Sequence, residues 1–284
     1  MKEYIVLSRT NGTTKNGSNF ATLKVESVGE VINVAVWELN PQQPPTVGQL
    51  ISFYVLKDNA GKKSCNSSDF KVIGLPDENH PLYNKLPRPI KREVWDATIK
   101  QLTEYCKDEQ LTQIISEYAD VLYKPYSEYP AATTVHHAFP GGLLNHTHQL
   151  LDMLAGVYPH LPYEVKIERC VLAILFHDYG KVYEYQKTGE PRQDMYLLGH
   201  IYIGAHKLHQ ELEKRGIDTE EAKRIVHCVL AHHGKLEFGS PVVPATQEAI
   251  LVNMLDDLSA KTDTANGTGN LEKNFALGTA VIKD

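Results

Sequence analysis

The feature that most constrains the fold is a change of pattern at residues 76–92. This segment contains Pro76, Pro81, Pro87 and Pro89, and proline interrupts both helices and central strands. Before it, short runs rich in β-branched and aromatic residues are typical of strands. After it, apolar residues recur at helical spacing. The sequence therefore predicts two domains, a small all-β domain followed by an all-α domain.

The all-β domain is predicted over residues 1–75. Strands are expected at residues 4–7, 21–25, 31–37, 50–56 and 69–73. Turn formers such as Asn11-Gly12 separate these runs. About five short strands in this length favour a small barrel, with an OB-fold as the first candidate and an unspecified small β-domain as the alternative.

The all-α part follows a basic, proline-rich linker at 76–92. Its apolar periodicity predicts helices at residues 94–105, 111–123, 142–157, 164–179, 197–215, 219–233 and 245–262. We expect connecting helices at 93–130, the main helical domain at 131–262, and a polar tail at 263–284.

Composition narrows the class of protein. No run of 18 apolar residues is present, the N-terminus lacks a signal-peptide pattern, and the four cysteines are far apart. These features predict a cytoplasmic protein that does not bind membranes. The net charge of −6 means that a polyanionic partner would need local basic patches or metal ions.

The histidines are strongly clustered. Twelve of the 13 lie between His136 and His233. Histidine is the commonest metal ligand and the usual proton carrier near neutral pH, so this clustering predicts a chemical site in the helical domain.

The most informative motif is the pair His177-Asp178, which ends an apolar helical run and precedes Gly180. The dipeptide alone occurs by chance in many chains, but its place at the end of a buried helix favours a ligand role. Asp178 either joins His177 on one ion or bridges two ions, each taking one oxygen.

Further candidate ligands lie in or beside apolar helical stretches, where an unsatisfied polar group costs stability. They are His146, His200, His232, His233, Asp256 and Asp257. One such histidine is more often a hydrogen-bonded core residue, but the same feature in five segments favours a metal centre. A His/Asp set without cysteine suits Mn²⁺, Fe²⁺, Co²⁺, Ni²⁺ or Mg²⁺ better than structural zinc.

The order His, His-Asp, His, His, Asp resembles the HD-domain superfamily of metal-dependent phosphohydrolases. Longer strings are similar to the YhaM family. They are His-His-Ala-Phe-Pro-Gly-Gly-Leu-Leu-Asn-His-Thr at 136–147, Phe-His-Asp-Tyr-Gly-Lys at 176–181, Leu-Gly-His-Ile at 198–201 and His-His-Gly-Lys-Leu-Glu-Phe-Gly-Ser-Pro at 232–241. That family comprises bacterial 3′→5′ exoribonucleases with an N-terminal OB-fold and a C-terminal HD domain. The resemblance is strong over residues 131–262 and weaker over 1–75.

The resemblance implies two metal ions, with Mn²⁺ as the first candidate. The implied ligands of the first ion are His146, His177, Asp178 and Asp256. Those of the second are His200 and His232, with Asp178 as the bridge. His233 is an alternative ligand, and spacing does not separate Asp257 from Asp256.

Four residues are candidates for catalysis. They are Asp178, Lys181, His136 and His137. Lys181 either holds a non-bridging phosphate oxygen or is a solvated lysine at a helix end. His136 and His137 either contact phosphate, donate a proton or are structural.

The implied activity is hydrolysis of single-stranded RNA or DNA from the 3′ end to nucleoside 5′-monophosphates, by a hydroxide that the metal ions activate. The β-domain would present the strand by stacking and backbone contacts. Its candidates are Phe20, Trp37, Phe53 and Tyr54, of which Trp37 and Phe53 are equally candidates for the core. In the linker, Lys85 and Arg88 either guide the phosphate backbone or are merely solvated.

Three other functions are compatible with the residues. The first is an HD nucleotidase or cyclic-nucleotide phosphodiesterase, which the β-domain disfavours because a small substrate needs no stacking platform. The second is a di-iron oxygenase. The third is a single-strand-binding module with an inert helical domain. A homo-oligomeric assembly is left open.

Overall fold

The structure is a computed structural model that describes residues 1–39, 45–132, 137–187 and 189–265, with the backbone alone of 272–274 and 279–281. The N-terminal domain is built from seven strands. They are β1 (Glu3–Thr13), β2 (Asn19–Ser27), β3 (Glu30–Trp37), β4 (Leu50–Phe53), β5 (Lys57–Asn59), β6 (Lys62–Asn66) and β7 (Phe70–Gly74).

These strands form one sheet in the order β5-β6-β3-β2-β1-β4-β7. β6 runs parallel to β3, whereas β7 runs antiparallel to β4. Only a short 3₁₀ turn at Ser67–Asp69 separates β6 from β7. These consecutive strands nevertheless lie towards opposite ends of the strand order. The sheet must therefore curl into a barrel, and its topology is consistent with an OB-like fold.

The barrel contains one hairpin that the sequence pattern did not predict. β5 and β6 pair antiparallel across Ala60-Gly61, and both turn residues have positive φ, as a tight hairpin turn requires. The β5 sequence Lys-Asp-Asn has low strand propensity. The hairpin is therefore stabilised by its turn and by the pairing of β6 with β3, and not by the strand propensity of β5.

The C-terminal part is helical, as predicted. Its helices are α1 (Arg92–Thr103), α2 (Glu109–Tyr126), α3 (Gly142–Val157), α4 (Ile167–Phe176), α5 (Lys181–Glu184), α6 (Gln193–Leu197), α7 (His200–Lys214), α8 (Thr219–Leu230) and α9 (Gln247–Ala265). The short α5 and α6 were not predicted, because a helix of four or five residues shows no apolar period. Two further strands, β8 (Glu272–Asn274) and β9 (Thr279–Val281), pair antiparallel within the predicted polar tail.

Helix α4 is the centre of the helical domain. Every residue from Cys170 to Phe176 is buried, and α4 packs against α2, α8 and α9. A helix that is apolar on all sides has to be surrounded by other helices. Within the described parts of the chain, no helix is both long and apolar enough to cross a lipid bilayer.

The linker is anchored at both ends. Leu82 packs against Ile5 and Leu50 of the barrel. Towards the helical domain, the Asn145 side chain of α3 accepts a hydrogen bond from the Ile90 backbone N–H at 2.9 Å and donates one to the Arg88 carbonyl at 2.8 Å. The proline-rich segment is therefore a fixed connection between the domains.

A second contact joins the domains directly. The Arg9 guanidinium of β1 forms an ion pair with the Glu190 carboxylate of the helical domain, and the Arg9 side chain is only 8% exposed. Arg9 also donates to the Pro45 carbonyl at 3.2 Å. A largely buried, paired guanidinium favours one relative placement of the two domains.

We expect Asn145→Ala to lower the free energy of unfolding by about 1–3 kcal/mol, because it leaves two backbone groups of the linker without their partner. Urea denaturation followed by tryptophan fluorescence measures this change. Gln113→Ala, on the exposed face of α2, is the control and should leave the midpoint unchanged. An Asn145→Ala midpoint equal to that of the wild type would show that these hydrogen bonds do not stabilise the junction.

Candidate metal centre

The end of α4 places two polar side chains deep in the helical domain. His177 and Asp178 directly follow the buried apolar run and are 0% and 2% exposed. A buried carboxylate requires compensating charges or hydrogen bonds. Lys181 and three histidines from other segments of the chain, His146, His200 and His232, lie around Asp178 and supply them.

One oxygen of Asp178 faces a first group of side chains. Its Oδ2 lies 3.6 Å from His146 Nε2 of α3 and 3.4 Å from His177 Nε2. His146 Nε2 is in turn 3.1 Å from His177 Nε2 and 3.1 Å from Asp256 Oδ1 of α9. Two imidazole nitrogens and two carboxylates therefore converge on one point.

The other oxygen of Asp178 faces a second group. Its Oδ1 lies 3.6 Å from His200 Nε2, at the start of α7, and 4.0 Å from His232 Nε2, just after α8. The His233 ring lies beside both, with its centroid 4.4 Å from that of His232 and 5.2 Å from that of His200. Asp178 thus stands between two clusters of nitrogen donors.

Two glycines allow the second group to reach Asp178. A Cβ on Gly180 would lie 2.3 Å from the backbone Cα of His200, and one on Gly204 would lie 2.4 Å from the Phe176 carbonyl. Neither distance is sterically permitted. Glycine at both positions therefore lets α7 lie directly against the end of α4, which brings His200 within reach of Asp178.

Each histidine of the centre is oriented by its second ring nitrogen. Nδ1 faces Ser259 Oγ in His146, Ile174 O in His177, Glu184 Oε1 in His200, Val229 O in His232 and Phe238 O in His233, at 2.7–3.2 Å. Because a carbonyl or carboxylate oxygen only accepts, the proton is placed on Nδ1 there and the lone pair on Nε2. The Nε2 atoms can then bind a cation.

Two of these Nε2 atoms, those of His200 and His232, are buried without a hydrogen-bond partner among the described residues. Two groups of donors, His146–His177–Asp178 and His200–His232–His233, each have their donor atoms within 4.8 Å of one another. Unsatisfied buried nitrogens aimed at a shared carboxylate are what divalent metal ions would satisfy.

The pKa shifts of the two carboxylates and of His232 agree with a cation-binding centre, whereas the Asp178 charge outweighs burial and raises the pKa of His177. Burial raises the pKa of Asp178, but Lys181 and His177 outweigh it and hold that pKa well below its usual range. Asp256 behaves in the same way, with His146 as the main opposing group. Burial and the neighbouring His233 lower the pKa of His232, so its imidazole stays neutral. Ionised carboxylates and a neutral imidazole are the forms that bind metal.

Comparisons with known proteins bear on this geometry. Residues 143–261 match the family model described as HD domain. The chain is 30% identical over 270 residues to 3′-5′ exoribonuclease YhaM of Bacillus licheniformis, covering 90% of this chain and 83% of that protein. It is 28% identical over 270 residues to the protein of the same name in Bacillus velezensis, covering 91% and 83%. The chain belongs to the YhaM family. No solved structure gives a significant match.

In this YhaM-family chain, the structure separates Asp256 from Asp257. The Asp256 carboxylate faces His146, whereas the Asp257 carboxylate is 48% exposed and pairs with Lys261 at 2.6 Å. The two residues are adjacent on α9, so they point in directions about 100° apart. This arrangement favours Asp256 as the ligand, and the ligand assignment stays a prediction.

Lys181 is buried, which argues against the alternative of a solvated lysine at a helix end. It is 8% exposed, and its Nζ lies 2.7 Å from Asp178 Oδ2. His137 lies beside the centre, with its ring centroid 5.4 Å from that of His146 and its Nε2 3.3 Å from Gln149 Oε1. His136 lies outside the described residues. Catalytic roles for all three stay predictions.

The aromatic candidates of the barrel divide into two kinds. Phe20 and Trp37 pack together with centroids 5.2 Å apart, and Trp37 is 40% exposed. Tyr54 is 55% exposed. Phe53 is partly buried and packs against Tyr4 and other residues of the barrel core, which favours the core alternative for this residue.

The two basic linker candidates are already engaged. Lys85 forms an ion pair with Glu26 of the barrel at 2.5 Å. The Arg88 guanidinium donates to the Tyr83 carbonyl at 2.7 Å and lies over the Tyr83 ring. The Lys85 ion pair ties the linker to the barrel and offsets one positive charge, whereas the Arg88 contacts lie within the linker and leave its charge uncompensated.

Three supporting residues had no signal in the sequence. The buried Glu184 accepts from both Nδ1 and the backbone N–H of His200, Ser259 bonds His146 Nδ1, and Asn253 donates to the His232 carbonyl at 2.7 Å. Glu184 precedes His200 by 16 residues and belongs to no periodic pattern. Only the folded chain brings these residues together.

We expect Asp256→Asn to weaken binding of one divalent ion, while Asp257→Asn binds as the wild type does. The first substitution removes a carboxylate charge beside His146, and the second changes an exposed side chain. Isothermal titration of metal-stripped protein with Mn²⁺ measures both. Normal binding by Asp256→Asn together with a defect in Asp257→Asn would reverse the assignment.

Glu184→Ala should weaken binding of the ion held by His200 by about 10- to 100-fold, the usual effect of losing a carboxylate that orients a metal-binding histidine. Glu184→Gln keeps an acceptor and should lose less. Mn²⁺ titration measures the effect, and circular dichroism checks that each variant is folded. Equal affinity of wild type and Glu184→Ala would show that this carboxylate does not support the site.

Proposed function

We propose that this protein is a metal-dependent 3′→5′ exonuclease that hydrolyses single-stranded RNA, with DNA as the second candidate substrate, to nucleoside 5′-monophosphates. One observation carries the proposal. The buried Asp178 carboxylate presents each of its oxygens to a separate cluster of histidine nitrogens. The names of the two relatives support the substrate and the direction.

The ligands divide between two ions. His146, His177, Asp178 and Asp256 would hold the first ion. His200 and His232 would hold the second with Asp178, and His233 is the alternative ligand. Mn²⁺ is the first candidate from the family resemblance, and Co²⁺, Mg²⁺, Fe²⁺ and Ni²⁺ also suit a mixed His/Asp set. Two ions bound here would supply an activated water and neutralise charge on the phosphate.

Lys181 adds a positive charge from the protein itself. Burial opposes its charged form, but the Asp178 carboxylate outweighs this and raises the pKa of Lys181, which therefore stays protonated at neutral pH. Its side chain lines the same cavity as Asp178 and His232. We assign Lys181 to a non-bridging phosphate oxygen, where an ammonium in a partly desolvated site interacts strongly.

The volume of the cavity suits a single nucleotide at the end of a strand. The cavity has a volume of about 350 Å³ and is lined by Asp178, Asp256 and Asn253 among others. That volume is at the small end of ligand pockets. A cavity of this volume can hold one nucleotide at a time.

The barrel would hold the remainder of the strand. The Phe20–Trp37 pair and Tyr54 expose ring surface, which stacks on bases of any sequence. The ion pair between Arg9 and Glu190 fixes the barrel beside the helical domain. A strand bound on the barrel would then enter the metal centre from a constant direction.

Metal-stripped protein should not degrade 5′-labelled single-stranded RNA, and Mn²⁺ should restore a ladder that shortens from the 3′ end. Asp178→Asn should reduce the rate by at least about 100-fold, more than the loss of an outer-shell partner. Asp152→Asn, which changes an exposed carboxylate on α3 outside the cavity, is the matched control and should cleave as the wild type does. The same assay with DNA ranks the two nucleic acids.

Intact RNA under every metal would contradict the exonuclease. In that case the same protein should be tested on nucleotides and cyclic nucleotides. Retention of RNA without turnover, with or without metal, would instead indicate a binding module.

A further inference from the structure

One aromatic side chain stands at the mouth of the metal centre and has no role in holding it. Phe238 lines the same cavity as Asp178 and His232, and it is the only aromatic residue among the described residues that line this cavity. Its side chain is 58% exposed. A large apolar ring left in water beside a catalytic cavity is a candidate for contact with the substrate.

The backbone around Phe238 is held firmly. Residues Leu236–Phe238 form a 3₁₀ turn that ends at Gly239, whose φ is +86°. The Phe238 carbonyl accepts a hydrogen bond from His233 Nδ1 at 2.8 Å. The buried Ser240 closes the loop by donating from Oγ to the Leu230 carbonyl at 3.0 Å. The backbone that carries the ring therefore has a fixed position relative to the histidines of the centre.

The surroundings of the ring favour a nucleotide as its partner. Lys235 Nζ lies 5.2 Å from the ring centroid, which places a positive charge near the ring. The cavity combines this aromatic face with the acidic and imidazole groups that would hold metal ions. A flat apolar group joined to a phosphate matches both halves of the cavity, and a nucleotide has that composition.

We propose that Phe238 is the stacking surface for the 3′-terminal nucleobase of the substrate. This assignment rests on the proposed exonuclease function and adds the subsite that positions the terminal nucleotide. The base stacks on the ring while the phosphodiester lies over Asp178. Because every base has a stacking face, the subsite accepts all four bases, and purines bind more tightly than pyrimidines.

Stacking acts on the bound substrate before and during bond cleavage alike. An interaction of equal strength in both states lowers KM and leaves kcat unchanged. Phe238→Ala should therefore raise KM for single-stranded RNA by roughly 10-fold, within the range of base–aromatic stacking, with little change in kcat. Phe238→Trp should restore the KM of the wild type.

The decisive substrate is an RNA whose 3′-terminal nucleotide is abasic. Wild type and Phe238→Ala should cleave the abasic strand with the same KM, because neither can stack on a missing base. Leu236→Ala is the matched control. Leu236 lies in the same 3₁₀ turn and is 65% exposed but does not line the cavity. Its substitution should therefore leave both KM and kcat unchanged.

The outcomes separate the inference from the function on which it rests. If the wild type does not cleave RNA, the exonuclease proposal itself fails. If the wild type cleaves RNA and Phe238→Ala raises KM equally for normal and abasic 3′ ends, Phe238 does not bind the base. If Phe238→Ala changes the oligomeric state in mass photometry and leaves KM unaltered, the ring contacts a second copy of the chain and the inference is overturned.

Discussion

The structure of the helical domain depends on one buried negative charge. Asp178 is almost fully removed from water, and a carboxylate in such a place is stable only when positive or hydrogen-bonding groups surround it. Lys181 and His177 supply much of that compensation. The helices α3, α7 and α9 and the turn after α8 each direct a side chain to the same place, so folding and assembly of the site are one event.

The Asp178 carboxylate would also allow Lys181 to change its partner. The Lys181 ammonium bonds the Asp178 oxygen that also faces His146 and His177. Cations bound by the histidines would take over the compensation of Asp178 and release Lys181 for an anionic substrate. With Lys181 in the phosphate-binding role proposed above, its pairing with this shared carboxylate would couple metal occupancy to phosphate binding.

The sequence predicted the domain order, most of the long helices and the residues that meet at the centre. It did so because His177-Asp178 ends a run of apolar residues, and because His146, His200 and His232 each interrupt an apolar pattern. Glu184 and Ser259 were not predicted, since their contacts join residues distant in the chain. The β5–β6 hairpin was missed because turn geometry and neighbouring strands outweigh the low propensity of Lys-Asp-Asn. Adjacent Asp256 and Asp257 were inseparable by spacing and differ only in the direction of their side chains.

Asn145 and His146 are neighbours on α3, so the residue that fastens the linker sits next to a residue of the metal centre. With Arg9 pinned to Glu190 as well, the path from barrel to centre has a constant length. If the barrel binds the strand as proposed, that length would act as a molecular ruler. A strand longer than the ruler would contact barrel and centre together and gain the combined affinity of two linked sites. A shorter strand would reach the centre alone, so trimming would slow at a residual length that the junction, and no base sequence, determines.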